Sequence, residues 1–279
     1  MRLSLCQLFA AMNENSAYKQ QPDEGELFAE YGSRERVPVT PDTADTALIT
    51  AMYAPAGRNI AVLPPPARCL FELSVDAFDA IIRAWMSEIP IADAIIRYGN
   101  KILVAADMAG VLTQRAKAQR TEIETARRRA ADAAATDRGD SDVRAVLDAA
   151  YKVWHEINRL MGLLRFCPNE GGIYIASCEP DHFVLPALGP HFQERFGKTP
   201  WAIIDEKRSL CLHCATGEQP ELFSISGNNG LSPHNTKGEW ENLWRNYHKT
   251  INNESRSNPG LQRQFMPRRY WKHLTELQE

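Results

Sequence analysis

Between Ser141 and Leu164 the apolar residues keep the rhythm of one long helix. Val143, Leu147, Ala150, Trp154, Ile157, Met161 and Leu164 follow at steps of four and three, and Val146, Val153 and Leu160 widen the stripe. A stripe this broad belongs to a core helix rather than to a coiled-coil seam. Such a helix must be covered by a second layer, because no stretch of that width is stable in water. Ser141 or Asp142 is placed to cap it. Glu156 and Arg159 are expected off the stripe, paired with each other at i, i+3.

The covering layer is sought downstream. Residues 173–177, 201–205 and 210–214 read as strands, the last two joined as a hairpin across Glu206-Lys207-Arg208. Pro186 and Pro190 each remove a backbone donor, so the segment between the first two strands is expected to hold only short helical turns. On such a turn His191 and Arg195 share a face, with Phe192 and Phe196 making the apolar contact. Residues 215–238 read as a polar linker. A helix over 239–252 and a short basic tail close the chain. The expected class is α+β: a compact mixed sheet with a long buried helix, a helical N-terminal half and a C-terminal helical tail. The expected regions are 1–140 and 141–279.

The N-terminal half is less regular. Leu3, Leu5, Leu8, Phe9 and Met12 form one helical face, and the apolar run is broken by Gln7, which reads as an amphipathic helix rather than a secretion signal. Residues 43–53 offer a short helix. Residues 60–63 and 69–73 read as strands joined by Pro64-Pro65-Pro66, which cannot lie in a central ladder. Ser74 then caps a helix through Val75, Phe78, Ile81, Ile82 and Trp85, ended by Pro90. A further helix over 92–112 is expected to be interrupted near Gly99 and Gly110. Residues 113–140, with Arg127-Arg128-Arg129, read as a solvated helix or a basic strip.

The net charge of −3 excludes a polycation, so nucleic-acid binding would need a local basic surface. Six cysteines spread over 279 residues are not a disulfide framework. With no apolar run of membrane-spanning length, these features point to a cytoplasmic protein without a membrane partner. Cys211-Leu212-His213-Cys214 has the spacing of half a zinc site. Strand alternation splits its thiols across the sheet, however, so no metal site is expected. No cofactor is legible.

Two groups of residues could carry function. The first lies near strand ends: Glu179, Asp181, His191 and Asp205 as acid, base or metal-binding groups, with Arg165, Arg195 and Arg208 as phosphate forks. The same residues could equally be structural ion pairs. The second is the tail, where Arg268, Arg269, Tyr270 and Trp271 alternate charge with aromatic surface. Such a segment stacks on bases and meets phosphates, or it anchors the tail to the core.

From Asp142 to Glu276 the order of residues resembles a bacterial family described as DNA-metabolism and DNA-repair proteins, built on a domain of unknown function. The resemblance rests on Glu156 with Arg159, Gly162, Arg165 and Phe166, on Tyr174 and Ala176, and on Glu179-Pro180-Asp181 with Leu185-Pro186. It continues through His191-Phe192, Arg195, Trp201, Asp205 and Arg208 to Leu243-Trp244-Arg245, Asn258, Leu261-Gln262, Met266-Pro267 and Arg269-Tyr270-Trp271. The chain departs at Asn158, where similar proteins often carry His, so a general base is missing there. Its start also lacks the short opening strand that the resemblance leads one to expect. The resemblance implies association with DNA and with a radical-SAM protein or a uracil-DNA glycosylase-like domain. The function it implies is an accessory factor to such an enzyme. The alternative is a hydrolase or lyase acting on nucleic acid through the carboxylate, arginine and histidine group.

Overall fold

The computed structural model describes residues 3–14, 63–169, 171–225 and 239–277. The described residues divide into two compact units, one ending at Val153 and the other beginning at Trp154. The expected helix over 43–53, the strand residues 60–62 and residues 226–238 of the expected linker lie outside the described residues.

The N-terminal unit is helical. Helix α1 (Leu5–Glu14) buries Leu5, Leu8, Phe9 and Met12 completely, as its spacing predicts. Where a strand was expected over 69–73, helix α2 (Pro65–Leu73) forms instead. Its prolines occupy the first turn, where a missing N–H costs nothing, and Pro66, Ala67, Leu70 and Leu73 are buried at helical spacing. Ser74 caps helix α3 (Val75–Met86) by accepting the Ala77 N–H. Helix α4 (Ala92–Arg115) runs through both glycines without a break. Gly99 serves close approach: a Cβ there would lie 2.5 Å from the Met12 sulfur. Helix α5 (Arg120–Thr136) packs on α4 through buried Ala131 and Ala135 and an Arg127–Asp107 ion pair of 2.9 Å. Arg128 and Arg129 are exposed, which favours the solvated-helix reading of this stretch.

The long helix α6 spans Ser141–Leu163. Its cap is Asp140, not Ser141 or Asp142. Asp140 Oδ1 accepts the N–H groups of Asp142 (2.8 Å) and Val143 (3.2 Å). The Asp142 carboxylate is taken by Arg97 and Lys101, which hold it far below the usual carboxylate range.

The C-terminal unit is built on a five-stranded sheet in sequence order. Strand β1 (Cys167–Pro168) pairs antiparallel with β2 (Tyr174–Cys178), which runs parallel to β3 (Trp201–Asp205). Strands β4 (Leu210–Cys214) and β5 (Glu221–Ser224) follow antiparallel. The central β3 is buried along its whole length, which explains its unbroken apolar run. The β3–β4 hairpin forms as expected. Strand β5 is a correction, since it lies in the segment read as linker; its exposed edge position leaves it little apolar signal. A parallel β2–β3 pair requires a crossover, and helix α7 (Leu185–Phe196) supplies it. This helix continues through Pro190 rather than breaking into short turns. Helix α8 (Glu239–Ile251), helix α9 (Pro259–Phe265) and tight 3-10 turns at Arg268–His273 and Thr275–Leu277 close the unit.

The hairpin register puts Cys211 in a cluster with Ile175, Ala202 and Ile204, while Leu212 and Cys214 alternate to the other face. The two thiols are therefore split across the sheet, and burial pushes Cys211 up to about 12.

Candidate functional site

One group of acidic and basic residues gathers at the carboxyl ends of β2 and β3, where crossover loops of parallel strands build sites. Glu156 organises them. It is 1% exposed and stands on α6. Its Oε1 accepts the Asp181 N–H (2.8 Å), the Tyr270 hydroxyl (2.9 Å) and Arg269 Nη2 (3.2 Å), and its Oε2 accepts the His182 N–H (2.8 Å). Two donors come from the loop that leads into α7 and two from the tail. A buried carboxylate needs such partners, because an unpaired charge in the interior is far costlier than a paired one. The expected Glu156–Arg159 pair is thus replaced by Glu156–Arg269. The sequence held the signal: position 156 lies three residues after buried Val153 and four before buried Leu160.

Arg269 also bridges to Asp181, donates to the Tyr270 hydroxyl (2.8 Å) and lies over the Tyr270 ring at 4.8 Å. Burial, together with Glu156, pushes the Tyr270 phenol up to about 12. Tyr270 therefore acts as a neutral donor and an anchor.

Asp205, fully buried, ends β3. It accepts the Arg208 backbone N–H (3.1 Å) and the Arg208 guanidinium (2.7 Å). Arg208 reaches on to the carbonyls of Pro180 (3.1 Å) and Asp181 (2.9 Å), tying the hairpin turn to the β2–α7 loop. Burial raises the Asp205 carboxyl, and Arg208 opposes that shift.

Glu179 pairs with Lys272, which also reaches Glu206 (3.5 Å). Hydrogen bonding to Lys272 holds the Glu179 carboxyl below its ordinary range. Glu179, Glu206 and His273 bring their donor atoms close enough to hold a metal ion. Arg165 makes a forked pair with Glu276 (2.6 and 3.3 Å) and lies over the Trp244 ring, whose N–H also donates to Glu276 (3.1 Å). Burial raises the Glu276 carboxyl, but Arg165 and the other donors outweigh it and hold the group low.

The structure therefore brings together Glu179, Asp181, Asp205, Arg208, Arg269 and Tyr270. It does not bring His191 and Arg195 to them. His191 lies half-way along α7 against Phe192, and Arg195 is exposed in the last turn. That end of α7 leads into Trp201 at the start of β3, about 13 Å of strand away from Asp205. Phe166, Phe192, Phe196 and Trp201 pack together there. Arg268 is exposed over the Trp271 ring, and Trp271 donates to the Met266 carbonyl (2.8 Å). Sequence reasoning missed Glu156, Glu206, Lys272, His273 and Glu276, whose partners lie on distant segments.

These features define a class: an α+β domain whose C-terminal segment is docked by ion pairs onto the strand ends of a mixed sheet. Residues 116–276 match a family model described as a domain of unknown function, DUF4130, and the chain belongs to that family. The match spans every residue of the cluster. No curated protein and no solved structure matches the chain.

Proposed function

We propose that this protein is a nucleic-acid-binding accessory factor that engages its strand through the C-terminal arm, residues 239–277. The observation that carries this reading is the arm's composition and exposure. It holds seven Lys and Arg against four Glu, a balance of +3 in a chain of net −3. Lys249, Arg256, Arg263 and Arg268 are exposed and form no ion pair among the described residues. Tyr247 and Phe265 are exposed beside them, and the Trp244 and Tyr247 rings lie 5.7 Å apart at a tilt of 32°. Flat aromatic surface next to cations that no carboxylate neutralises suits a flexible strand, whose bases stack while its phosphates meet the cations.

Arg269 and Tyr270 serve differently on this reading: they are the anchor that docks the arm. The carboxylates first considered as catalytic are engaged in ion pairs, which favours an accessory role over hydrolase or lyase chemistry. The six free thiols support a reducing, cytoplasmic setting. There the arm would act beside a partner of the radical-SAM or glycosylase type that the sequence resemblance implies. No described helix is long and apolar enough to cross a membrane.

The test is fluorescence anisotropy with labelled single-stranded and duplex oligonucleotides across a salt series. Replacing Lys249, Arg256, Arg263 and Arg268 together by Ala should flatten the slope of log affinity against log salt by about 3. Tyr247→Ala should weaken single-strand binding by about 1–3 kcal/mol. A parent protein that binds neither oligonucleotide at low salt refutes the proposal. So does a folded quadruple variant with an unchanged slope.

A further inference from the structure

We infer that Glu179, Glu206 and His273 form a binding site for a divalent transition-metal ion, held closed by the ammonium group of Lys272. The three residues come from three separate segments. Glu179 directly follows β2, Glu206 opens the β3–β4 turn, and His273 ends the tight turn of the tail. Their donor atoms all lie within 4.8 Å of one another. The Glu206 N–H is fixed to the Cys178 carbonyl at 3.0 Å, which sets the turn against the end of β2.

Two observations beyond the paired carboxylates point to a cation ligand. First, His273 Nε2 is buried and has no hydrogen-bond partner among the described residues. An imidazole nitrogen in that condition is either a cost to the fold or a vacant ligand position. Second, Lys272 already places a positive charge between the two carboxylates, pairing with Glu179 and Glu206. The protein's own cation thus stands where a metal would sit. Lys272 is 47% exposed, and its long stem lets the ammonium swing out to solvent.

Two carboxylates and one imidazole select Zn²⁺, Mn²⁺, Fe²⁺ or Co²⁺ over Mg²⁺ or Ca²⁺, which favour all-oxygen shells. Water would complete the shell on the exposed Glu206 side. A bound ion would also link the tail to both strand ends, stiffening the docked arm. This inference stands on geometry separate from the exposed cations of the proposed strand-binding surface.

The experiment is titration of the full-length protein, first freed of metal, with Co²⁺ and Zn²⁺. Calorimetry gives the affinity, the visible spectrum of Co²⁺ gives the ligand field, and circular dichroism checks that each variant is folded. Parent protein should bind one equivalent. Lys272→Ala should bind more tightly, because it removes the internal competitor. Glu206→Gln and His273→Ala should each weaken binding by more than about tenfold. Glu206 is exposed, so its variant keeps the test sound even if His273→Ala fails to fold. Absence of binding in both parent and Lys272→Ala overturns the inference. So does binding that persists unchanged in folded Glu206→Gln, or a Lys272→Ala variant that binds more weakly than the parent.

Discussion

Replacing Glu156 by Gln removes one buried charge and turns one acceptor oxygen into a donor, while leaving volume and shape nearly untouched. Four donors converge on the native carboxylate: the Asp181 and His182 N–H groups, the Tyr270 hydroxyl and Arg269. The amide keeps one oxygen, which can stay with the three donors now on Oε1. Its NH₂ then faces the part-buried His182 N–H, and the loss of that acceptor costs about 1–3 kcal/mol. The remaining hydrogen bonds lose their charge assistance, worth roughly 1 kcal/mol for each donor. Arg269 is 39% exposed and keeps Asp181 as a partner, so its share is discounted for solvent screening. The sum is about 3–5 kcal/mol, the range for removing one partner of a buried pair. It corresponds to a fall in Tm on the order of 10 °C. Urea unfolding followed by tryptophan fluorescence measures it. Arg269→Met alone should cost less, and the double variant should cost less than the two single losses added, by at least about 1 kcal/mol. A loss below about 1 kcal/mol for Glu156→Gln, at unchanged m-value, would refute the view that this carboxylate organises the cluster.

Two further outcomes follow from the same network. The Glu276 carboxyl is held below its ordinary value of 4.5 in the folded protein, burial being outweighed by Arg165 and the other donors. A depressed acid stabilises the fold above its unfolded pKa and loses that contribution as pH falls through the folded value. Tm measured from about pH 6 to about pH 3 should therefore fall less steeply in Arg165→Met than in the parent; parallel profiles would count against the Arg165–Glu276 pair. Arg208→Met leaves the fully buried Asp205 without its cation, and should cost about 3–5 kcal/mol at neutral pH. Asp205 is already raised by burial, and a raised acid carries its penalty above the folded pKa and is relieved as pH falls. The loss in Arg208→Met should then shrink in acid, and a pH-independent loss would show that Asp205 stays charged without Arg208.

The elements set by strong local periodicity were legible in the chain alone. Helices α1, α3 and α6, strands β3 and β4 and their hairpin, and the Ser74 cap all announce themselves within a dozen residues, because burial of one face imposes a period of 3.6 or 2. Weak or conflicting local signals misled. Three prolines before Cys69 suggested a break where they begin helix α2, and the exposed edge strand β5 had no apolar pattern to show. Glycine read as an interruption of α4, whereas Gly99 is the point where Met12 packs against it.

The cluster itself was only half visible. Glu179, Asp181, Asp205 and Arg208 sit near strand ends in the sequence, so their meeting could be anticipated from the elements that carry them. Pairing across more than a hundred residues could not, and Glu156 with Arg269 and Arg165 with Glu276 are of that kind. Local sequence also made His191 and Arg195 companions of the acidic residues, yet a crossover helix carries its last turn toward the opposite end of its strands. Residue type and periodicity determine which segments become helix or strand and which faces they bury. Which charge neutralises which is decided only when the tail folds back onto the sheet, because an ion pair depends on distance in space and leaves no period in the chain.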